Sequence, residues 1–175
     1  MGHQPRRRRA RGAGILLGVL VLVAVWVGRT APTVAPLTQR SARAAVTRAV
    51  HDGLLEPRAA PVYAALNEVR ARQGVVRLDL DATLVASAVR DACAIARGEL
   101  ALSGDDVRTT EAGAHHENTG LVIDDDPTTA ARAMHEWWTH HRTHRRNRMD
   151  PGMTRYGVGA CNAEDRTYYV ERFAP

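Results

Sequence analysis

The stretch TRYGVGACNAEDRTYYVERF, residues 154–173, decides the fold of this chain of 175 residues. Two runs that contain β-branched and aromatic residues, 154–161 and 166–173, flank the polar segment 162–165. Extended runs on both sides of a short polar connection are typical of a β-hairpin. The chain is therefore predicted to end in a pair of antiparallel strands.

Upstream of the hairpin, hydrophobic periodicity predicts helices. Val62, Leu66 and Val69 share one helical face, and their run stops at Gly74, a natural C-terminal cap. The predicted upstream elements are helices at 41–51, 61–73, 81–97 and from Asp126-Pro127 through Trp137-Trp138, and a strand at 119–123. Helices first and a hairpin last predict an α+β domain in which helices cover a sheet.

Sparse landmarks follow one another in a fixed order between the first helix and the hairpin. They are Asn67-x-x-Arg70-x-x-x-Gly74, Leu78, Asp81, Leu84, Glu117-Asn118, Trp138, His144, Asn147, Tyr156-Gly157-Val158-Gly159 and Phe173. In this order and at these spacings the sequence resembles the CAP superfamily of SCP-like domains, in its bacterial type. The resemblance implies a three-layered α-β-α sandwich with a surface cleft, placed here at residues 61–175.

The resemblance also implies which residues surround the cleft. Family members place there a histidine after the second helix, the Glu of the Glu-Asn pair, and a histidine just after the Trp-bearing helix. Glu117 and His144 match two of these positions, whereas Leu102 stands at the third, and an apolar side chain cannot bind a cation. We therefore expect a ligand cleft formed by Glu117, Asn118, His144 and Trp138, with one nitrogen ligand missing.

The histidines permit a metal site on spacing alone. Glu136, His140 and His144 are four residues apart, so a continuous helix would align them at a spacing that suits a divalent transition metal such as zinc. The family pattern breaks the helix near Arg142, which would send His144 in another direction. The alternative is a solvated helix end. We expect no resident cofactor, and the candidate metal ligands are His144, Glu117, His140 and His116.

Composition excludes several classes of function. No lysine occurs in the chain, which removes Schiff-base chemistry, and none of the three serines lies in Gly-x-Ser-x-Gly. Residues 1–58 hold ten arginines and two acidic residues, whereas residues 59–175 hold 14 arginines and 17 acidic residues. The basic pI therefore reflects the N-terminus, and we expect no nucleic-acid partner.

One local basic segment lies within the predicted domain. Arg142, Arg145, Arg146 and Arg148 fall within seven residues, next to several histidines. The segment could bind an anionic cell-wall polymer or a lipid head group. Alternatively, it is a surface segment that pairs with nearby acidic residues.

Two cysteines, Cys93 and Cys161, make up the whole thiol inventory, so one chain cannot form a four-cysteine zinc site. Cys93 falls in a predicted helix and Cys161 closes a predicted strand. A helix-to-strand disulfide is one possibility in an exported domain, and two buried free thiols are the other.

The N-terminus has the charge pattern of a membrane segment. A basic tail, residues 1–12, precedes the uncharged apolar stretch 13–28, and residues 29–60 are predicted to form a linker. Arg29 and Pro36 make cleavage after Ala31 or Ala35 unfavourable, so the stretch is predicted to remain as a transmembrane helix rather than a removed signal segment. We expect a single-pass membrane protein with its C-terminal domain outside the cell, or a secreted protein where cleavage occurs.

These features favour a non-enzymatic extracytoplasmic binding module, for which the resemblance implies a lipid-like small molecule or a cell-envelope component as partner. One alternative is a metal-assisted hydrolase with Glu117 as base and His144 as ligand, which the missing histidine at Leu102 disfavours. A second alternative is a structural protein that contacts another envelope protein.

The charge asymmetry across residues 13–28 predicts the topology. Protease added outside intact cells should digest the C-terminal domain, because the arginine cluster holds the N-terminus in the cytoplasm. Protection of the domain together with digestion of the extreme N-terminus would reverse this assignment.

Overall fold

The computed structural model describes residues 39–102, 113–124 and 126–175. Its elements are α1 (Gln39–His51), α2 (Ala60–Arg72), β1 (Asp79–Leu80), α3 (Ala82–Ala96), β2 (His116–Ile123), α4 (Pro127–His140), α5 (Arg142–Arg148), β3 (Arg155–Ala163) and β4 (Arg166–Ala174). No helix in these stretches is long and apolar enough to cross a membrane. The predicted basic tail and apolar stretch, 1–12 and 13–28, lie outside the described residues.

The strands form one mixed sheet in the order β1-β3-β4-β2. The predicted hairpin is confirmed as β3 and β4, which pair from Arg155 with Ala174 to Ala163 with Arg166. β2 pairs antiparallel with β4 and lies at the edge of the sheet, whereas β1 pairs parallel with β3. The α+β prediction is therefore confirmed, and β2 starts three residues before its predicted position.

Helix α3 covers one face of the sheet at very close range. A Cβ atom at Gly157 would collide with the backbone of Leu84 and Val85, and one at Gly159 would collide with the backbone of α3 around Val89. The two glycines therefore permit a helix-to-strand distance that a side chain would prevent. This explains why the Gly-x-Gly landmark lies in a strand.

Helices α2 and α4 cover the other face. Alternate residues of the hairpin, Tyr156 on β3 and Tyr169 and Phe173 on β4, belong to the same buried cluster as Leu66 of α2 and Trp138 of α4. Because side chains alternate along a strand, the remaining hairpin residues turn toward α3. Helices thus lie on both faces of the sheet, and the main core lies on the α2 and α4 side.

The segment interpreted as a linker contributes to this core. Within 39–60, Leu55 and Ala59 are 1% and 0% exposed, and both belong to the main core cluster together with Ala49 of α1. The linker interpretation therefore does not describe this part of the chain. The proline residues suggested a tether, but the apolar residues between them are buried against the domain.

Two of the landmark residues, Asn67 and Arg70, connect separate segments of the chain through side-chain hydrogen bonds. The Asn67 side chain donates to the Leu78 carbonyl at 3.0 Å and accepts from the Leu78 amide at 2.8 Å. The fully buried guanidinium of Arg70 donates to four backbone carbonyls, those of Val76, Arg148, Asp150 and Met153. These bonds fix the segment that leads from α5 into β3, because buried carbonyls need donors.

Cys93 of α3 and Cys161 of β3 form a disulfide, with their Cα atoms 5.0 Å apart. Of the two alternatives for the cysteines, the helix-to-strand bridge is confirmed. The bond joins α3 to the sheet covalently and closes a loop with a sequence separation of 68 residues.

Replacing both cysteines, Cys93→Ala with Cys161→Ala, should lower the free energy of unfolding by about 4 kcal/mol, since the open chain gains the entropy of a long loop. Urea denaturation of the oxidised protein, the reduced protein and the double variant measures the effect. The reduced protein and the variant should unfold at similar urea concentrations. Equal midpoints for the oxidised and reduced protein would contradict the prediction.

Candidate functional site

The candidate site is built on a buried ion pair between Arg148 of α5 and Glu171 of β4. Arg148 and Glu171 are 2% and 0% exposed, and Arg148 Nε lies 3.4 Å from Glu171 Oε2. The guanidinium also donates to the His135 carbonyl at 2.9 Å and to Thr139 Oγ1 at 3.0 Å, and it lies 5.6 Å from the centre of the Trp138 ring. Because an unpaired charge in the interior is costly, each partner fixes the other.

Glu171 extends the network to β3 and β2. The Tyr156 hydroxyl donates to Glu171 Oε1 at 2.6 Å, and Asn118 Nδ2 donates to Glu171 Oε2 at 3.0 Å. Burial raises the pKa of Glu171, and Arg148 opposes that rise. Burial, with Glu171 as the second cause, raises the pKa of Tyr156 well above its ordinary value, so the hydroxyl keeps its proton and remains a donor.

Asn118 connects this network to the histidine of α5. Its Oδ1 lies 3.1 Å from His144 Nδ1 and accepts a bond of 2.9 Å from Asn147 Nδ2. An amide oxygen can only accept, so His144 carries a proton on Nδ1. The Glu-Asn and Asn147 landmarks therefore fix the orientation and the tautomer of the imidazole ring.

The two tryptophans of α4 point in different directions, as expected for neighbours on a helix. Trp138 is fully buried, and its Nε1 donates to the Thr119 carbonyl at 3.2 Å. Trp137 is 49% exposed, stacks on His141 with ring centres 5.1 Å apart, and lies 4.9 Å from the His144 ring. His144 thus lies against an exposed indole and, at 6.4 Å, a buried one.

A cleft of about 560 Å³ opens beside His144. Its walls come from β2, α4, α5 and the segment after α3, and the lining residues are Leu102, Thr119, Gly120, Leu121, Val122, Ala133, Met134, Trp137 and His144. Apolar side chains predominate. Leu102, the position at which the resemblance implies a histidine, lines the cleft with an apolar side chain.

Glu117 takes a different position from the other predicted site residues. It precedes Asn118 on β2 and therefore leaves the strand from the opposite face. Its Oε2 accepts two bonds from Arg172, at 2.9 Å and 3.1 Å, and Arg172 also binds Asp91 of α3. The structure thus brings Asn118, His144 and Trp138 together, whereas the Glu117 carboxylate is ion-paired on the α3 side.

The helix break that the resemblance implies near Arg142 is present, so the condition for aligning Glu136, His140 and His144 on one helix is not met. Helix α4 ends at His140, and His141 has extended backbone before α5 begins at Arg142, so the three residues do not share a face. His140 Nδ1 lies 2.8 Å from the Glu136 carbonyl, close to its own helix end.

His116, another candidate metal ligand, is engaged in a different contact. Its Nε2 lies 2.9 Å from Asp150 Oδ2, and this contact lowers the pKa of Asp150. Within residues 39–102, 113–124 and 126–175, no three His, Cys, Asp or Glu side chains group to hold a metal ion.

His135 has a role that its sequence did not indicate. Arg148 Nη2 lies 2.9 Å from His135 Nδ1, and a guanidinium can only donate, so the ring accepts and is neutral. Burial first, and Arg148 second, lower the pKa of His135 from 6.5 to about 4. A lowered folded-state pKa means that this stabilisation is complete above about pH 6.5 and is lost as the pH falls toward 4.

No motif in the sequence indicated the ion pair on which the site is built. Arg148 falls within the basic segment 142–148, and no sequence motif singled out Glu171. The spacing could have indicated it, because Glu171 lies two residues from both Tyr169 and Phe173. All three therefore share one face of the strand, and that face points into the core. A buried carboxylate at such a position requires a cationic partner.

The chain matches the model of a known family. The CAP family, described as the Cysteine-rich secretory protein family, matches residues 63–173. No curated protein sequence matches the chain at a significant level.

Solved structures with a similar fold come from bacteria and a parasite. An outer surface protein of Borrelia burgdorferi has a TM-score of 0.53 at 12% identity, with 67% of this chain and 92% of that chain covered. An extracellular SCP-domain protein of Bacillus anthracis has a TM-score of 0.48 at 17% identity, covering 65% and 39%. The hookworm platelet inhibitor has a TM-score of 0.42 at 14% identity, covering 65% of each chain.

The chain spans about two fifths of the length of the Bacillus anthracis protein. At these identities the likeness concerns the fold alone, and the Borrelia burgdorferi structure is the one of the three above a TM-score of 0.5. The family model covers more than half of the chain and includes most of α2, the helices α3 to α5, the sheet and the cleft described above. The protein therefore belongs to the CAP family, the cysteine-rich secretory protein family.

Proposed function

We propose that this domain is an extracytoplasmic, non-enzymatic binding module whose cleft takes a lipid-like ligand with an apolar chain. The observation that carries the proposal is the apolar lining of the cleft where the family pattern has a histidine. Leu102 replaces a polar ligand with an aliphatic side chain, which favours contact with a hydrocarbon over contact with a cation.

The size and composition of the cleft suit such a ligand. A volume of about 560 Å³ falls within the range of small-molecule sites. Leu102 and Trp137 are 42% and 49% exposed at its walls, so apolar surface is available to a ligand. Burying that surface would favour binding by roughly 25 cal/mol per Å².

His144 supplies a fixed polar group at the wall of the cleft. Asn118 holds its Nδ1, and the tryptophan rings restrict its plane. A polar group held in one orientation costs little entropy when a ligand binds. We assign His144 the role of orienting the polar end of an amphipathic ligand next to the apolar wall.

The hydrolase alternative has less support. Its proposed base, Glu117, is 6% exposed and is already paired with Arg172, and its side chain leaves β2 from the face opposite Asn118. A carboxylate that is bound to Arg172 on the α3 side of the sheet is not positioned to accept a proton from a ligand in the cleft. The binding module uses the same cleft without requiring a proton transfer.

The disulfide supports an extracytoplasmic location. Bridges such as Cys93–Cys161 persist in oxidising compartments and are rare in the cytosol. The basic tail and apolar stretch of the sequence agree with export. Both observations support the proposal that the cleft lies outside the membrane, where lipids and other envelope molecules are available.

Photo-crosslinking tests the proposed ligand. The full chain is reconstituted in phosphatidylcholine vesicles with a fatty acid that carries a diazirine on its acyl chain, and adducts are mapped by mass spectrometry. Adducts should concentrate around Leu102 and Trp137. In Leu102→Asp the yield at Trp137 should fall about tenfold, because a charge in the apolar wall costs more than 1.4 kcal/mol.

The matched control is Val76→Asp. Val76 is 59% exposed in the connection between α2 and β1 and does not line the cleft, so this variant introduces the same charge at another exposed apolar residue. It should label like the unmodified protein. Labelling at Trp137 that survives Leu102→Asp, or that never exceeds labelling around Val76, would refute the lipid-binding proposal.

A further inference from the structure

We propose that the exposed side of α5, together with Trp137, docks the domain onto an anionic phospholipid bilayer. This α5 surface consists of Trp137, His141, Arg142, Arg145 and Arg146. The proposal goes beyond ligand binding in the cleft and does not depend on it, because the surface lies outside the cleft except for Trp137.

The inner side of α5 determines which arginines face outward. His144, Asn147 and Arg148 are buried, and their bonds to Asn118 and Glu171 fix the rotation of the helix. The remaining arginines therefore point away from the core.

Arg142, Arg145 and Arg146 share one outer face of the short helix. They are spaced three and four residues apart, which places them as neighbours on a helical surface. All three are exposed. The fold thus presents three exposed arginines on the outer side of one short helix.

These three arginines differ from several others on the surface. Within the described parts of the chain, none of the three forms an ion pair, whereas Arg97 pairs with Glu99 and Arg155 pairs with Asp81. Helix α5, RTHRRNR, contains no acidic residue. The charges of these three arginines are therefore available to an external anion. The planar guanidinium group can donate two parallel hydrogen bonds to phosphate oxygens.

Trp137 adds an interfacial aromatic group to the charged surface. Its indole is about half exposed and stacks on His141, which directly precedes α5. Tryptophan is enriched where a membrane meets water, because its ring is apolar and its N–H is polar. Basic residues combined with an exposed tryptophan are typical of surfaces that lie on a bilayer.

The rest of the chain favours a membrane over a soluble anion as the partner. Residues 59–175 hold more acidic residues than arginines, so a local basic surface would orient the domain toward an anionic sheet. The predicted anchor at residues 13–28 would make a bilayer part of the surroundings of the domain.

Fluorescence quenching tests the docking. The full chain carrying Trp26→Phe is reconstituted in vesicles whose phospholipids bear bromine on the acyl chains, with or without phosphatidylglycerol. Trp137 then reports contact with the bilayer, and buried Trp138 provides a constant background. We expect quenching with phosphatidylglycerol that is weak in phosphatidylcholine alone and is lost at high ionic strength.

The triple variant Arg142→Gln, Arg145→Gln, Arg146→Gln should reduce the docking equilibrium roughly 100-fold, since each charge near an anionic surface contributes about one factor of five. The matched control replaces Arg97, Arg155 and Arg166 by Gln. These arginines are exposed on other elements, and the same loss of charge there should leave quenching unchanged.

Two outcomes would overturn the proposal. Equal quenching in neutral and anionic vesicles, or equal loss in the triple variant and the control, would show that the α5 surface is not the docking site. Tight binding to soluble poly(glycerol phosphate), with no phosphatidylglycerol-dependent quenching, would instead identify an anionic wall polymer as the partner. Lipid crosslinking in the cleft is measured separately, so failure here leaves the cleft assignment unaffected.

Discussion

The buried pair of Arg148 and Glu171 is the interaction on which the site depends. Arg148 joins α5 to α4, and Glu171 joins β4 to β3 and β2, so two charged groups hold five elements in register. Neither charge is stable in the core without the other, because desolvation of an unpaired ion is costly. Asn118 bonds to Glu171 and to His144, so the orientation of the imidazole follows from the ion pair.

The buried network and the apolar cleft meet at His144. The cleft lies at the edge strand β2, where the inner network ends and apolar side chains begin. Leu102 contributes an apolar side chain to the wall of the cleft. The same rotation of α5 that buries His144 turns three arginines outward. One buried pair therefore positions both the proposed lipid cleft and the proposed membrane surface.

Local patterns in the sequence predicted most of the fold. The contacts that they did not predict join residues that lie far apart in the chain. Alternation and hydrophobic periodicity are local patterns, and they predicted the hairpin and the helices. The chain has two cysteines, so a single intramolecular disulfide is the one pairing available. The sequence could not show that Arg148 turns inward or that Glu117 pairs with Arg172, since those partners lie 23 and 55 residues away. The helix break that the resemblance implies near Arg142 lies at His141, and α5 after it buries His144 and Arg148.

A double-mutant cycle on the ion pair tests this account most directly. Free energies of unfolding in urea, followed by tryptophan fluorescence, are measured for Arg148→Met, Glu171→Gln and the double variant. Each single change should cost about 3–5 kcal/mol, because it leaves an uncompensated buried group, and the double change should cost at least about 1 kcal/mol less than the sum of the two. Single losses below about 0.5 kcal/mol, or strictly additive losses, would contradict the claim that this pair supports the site.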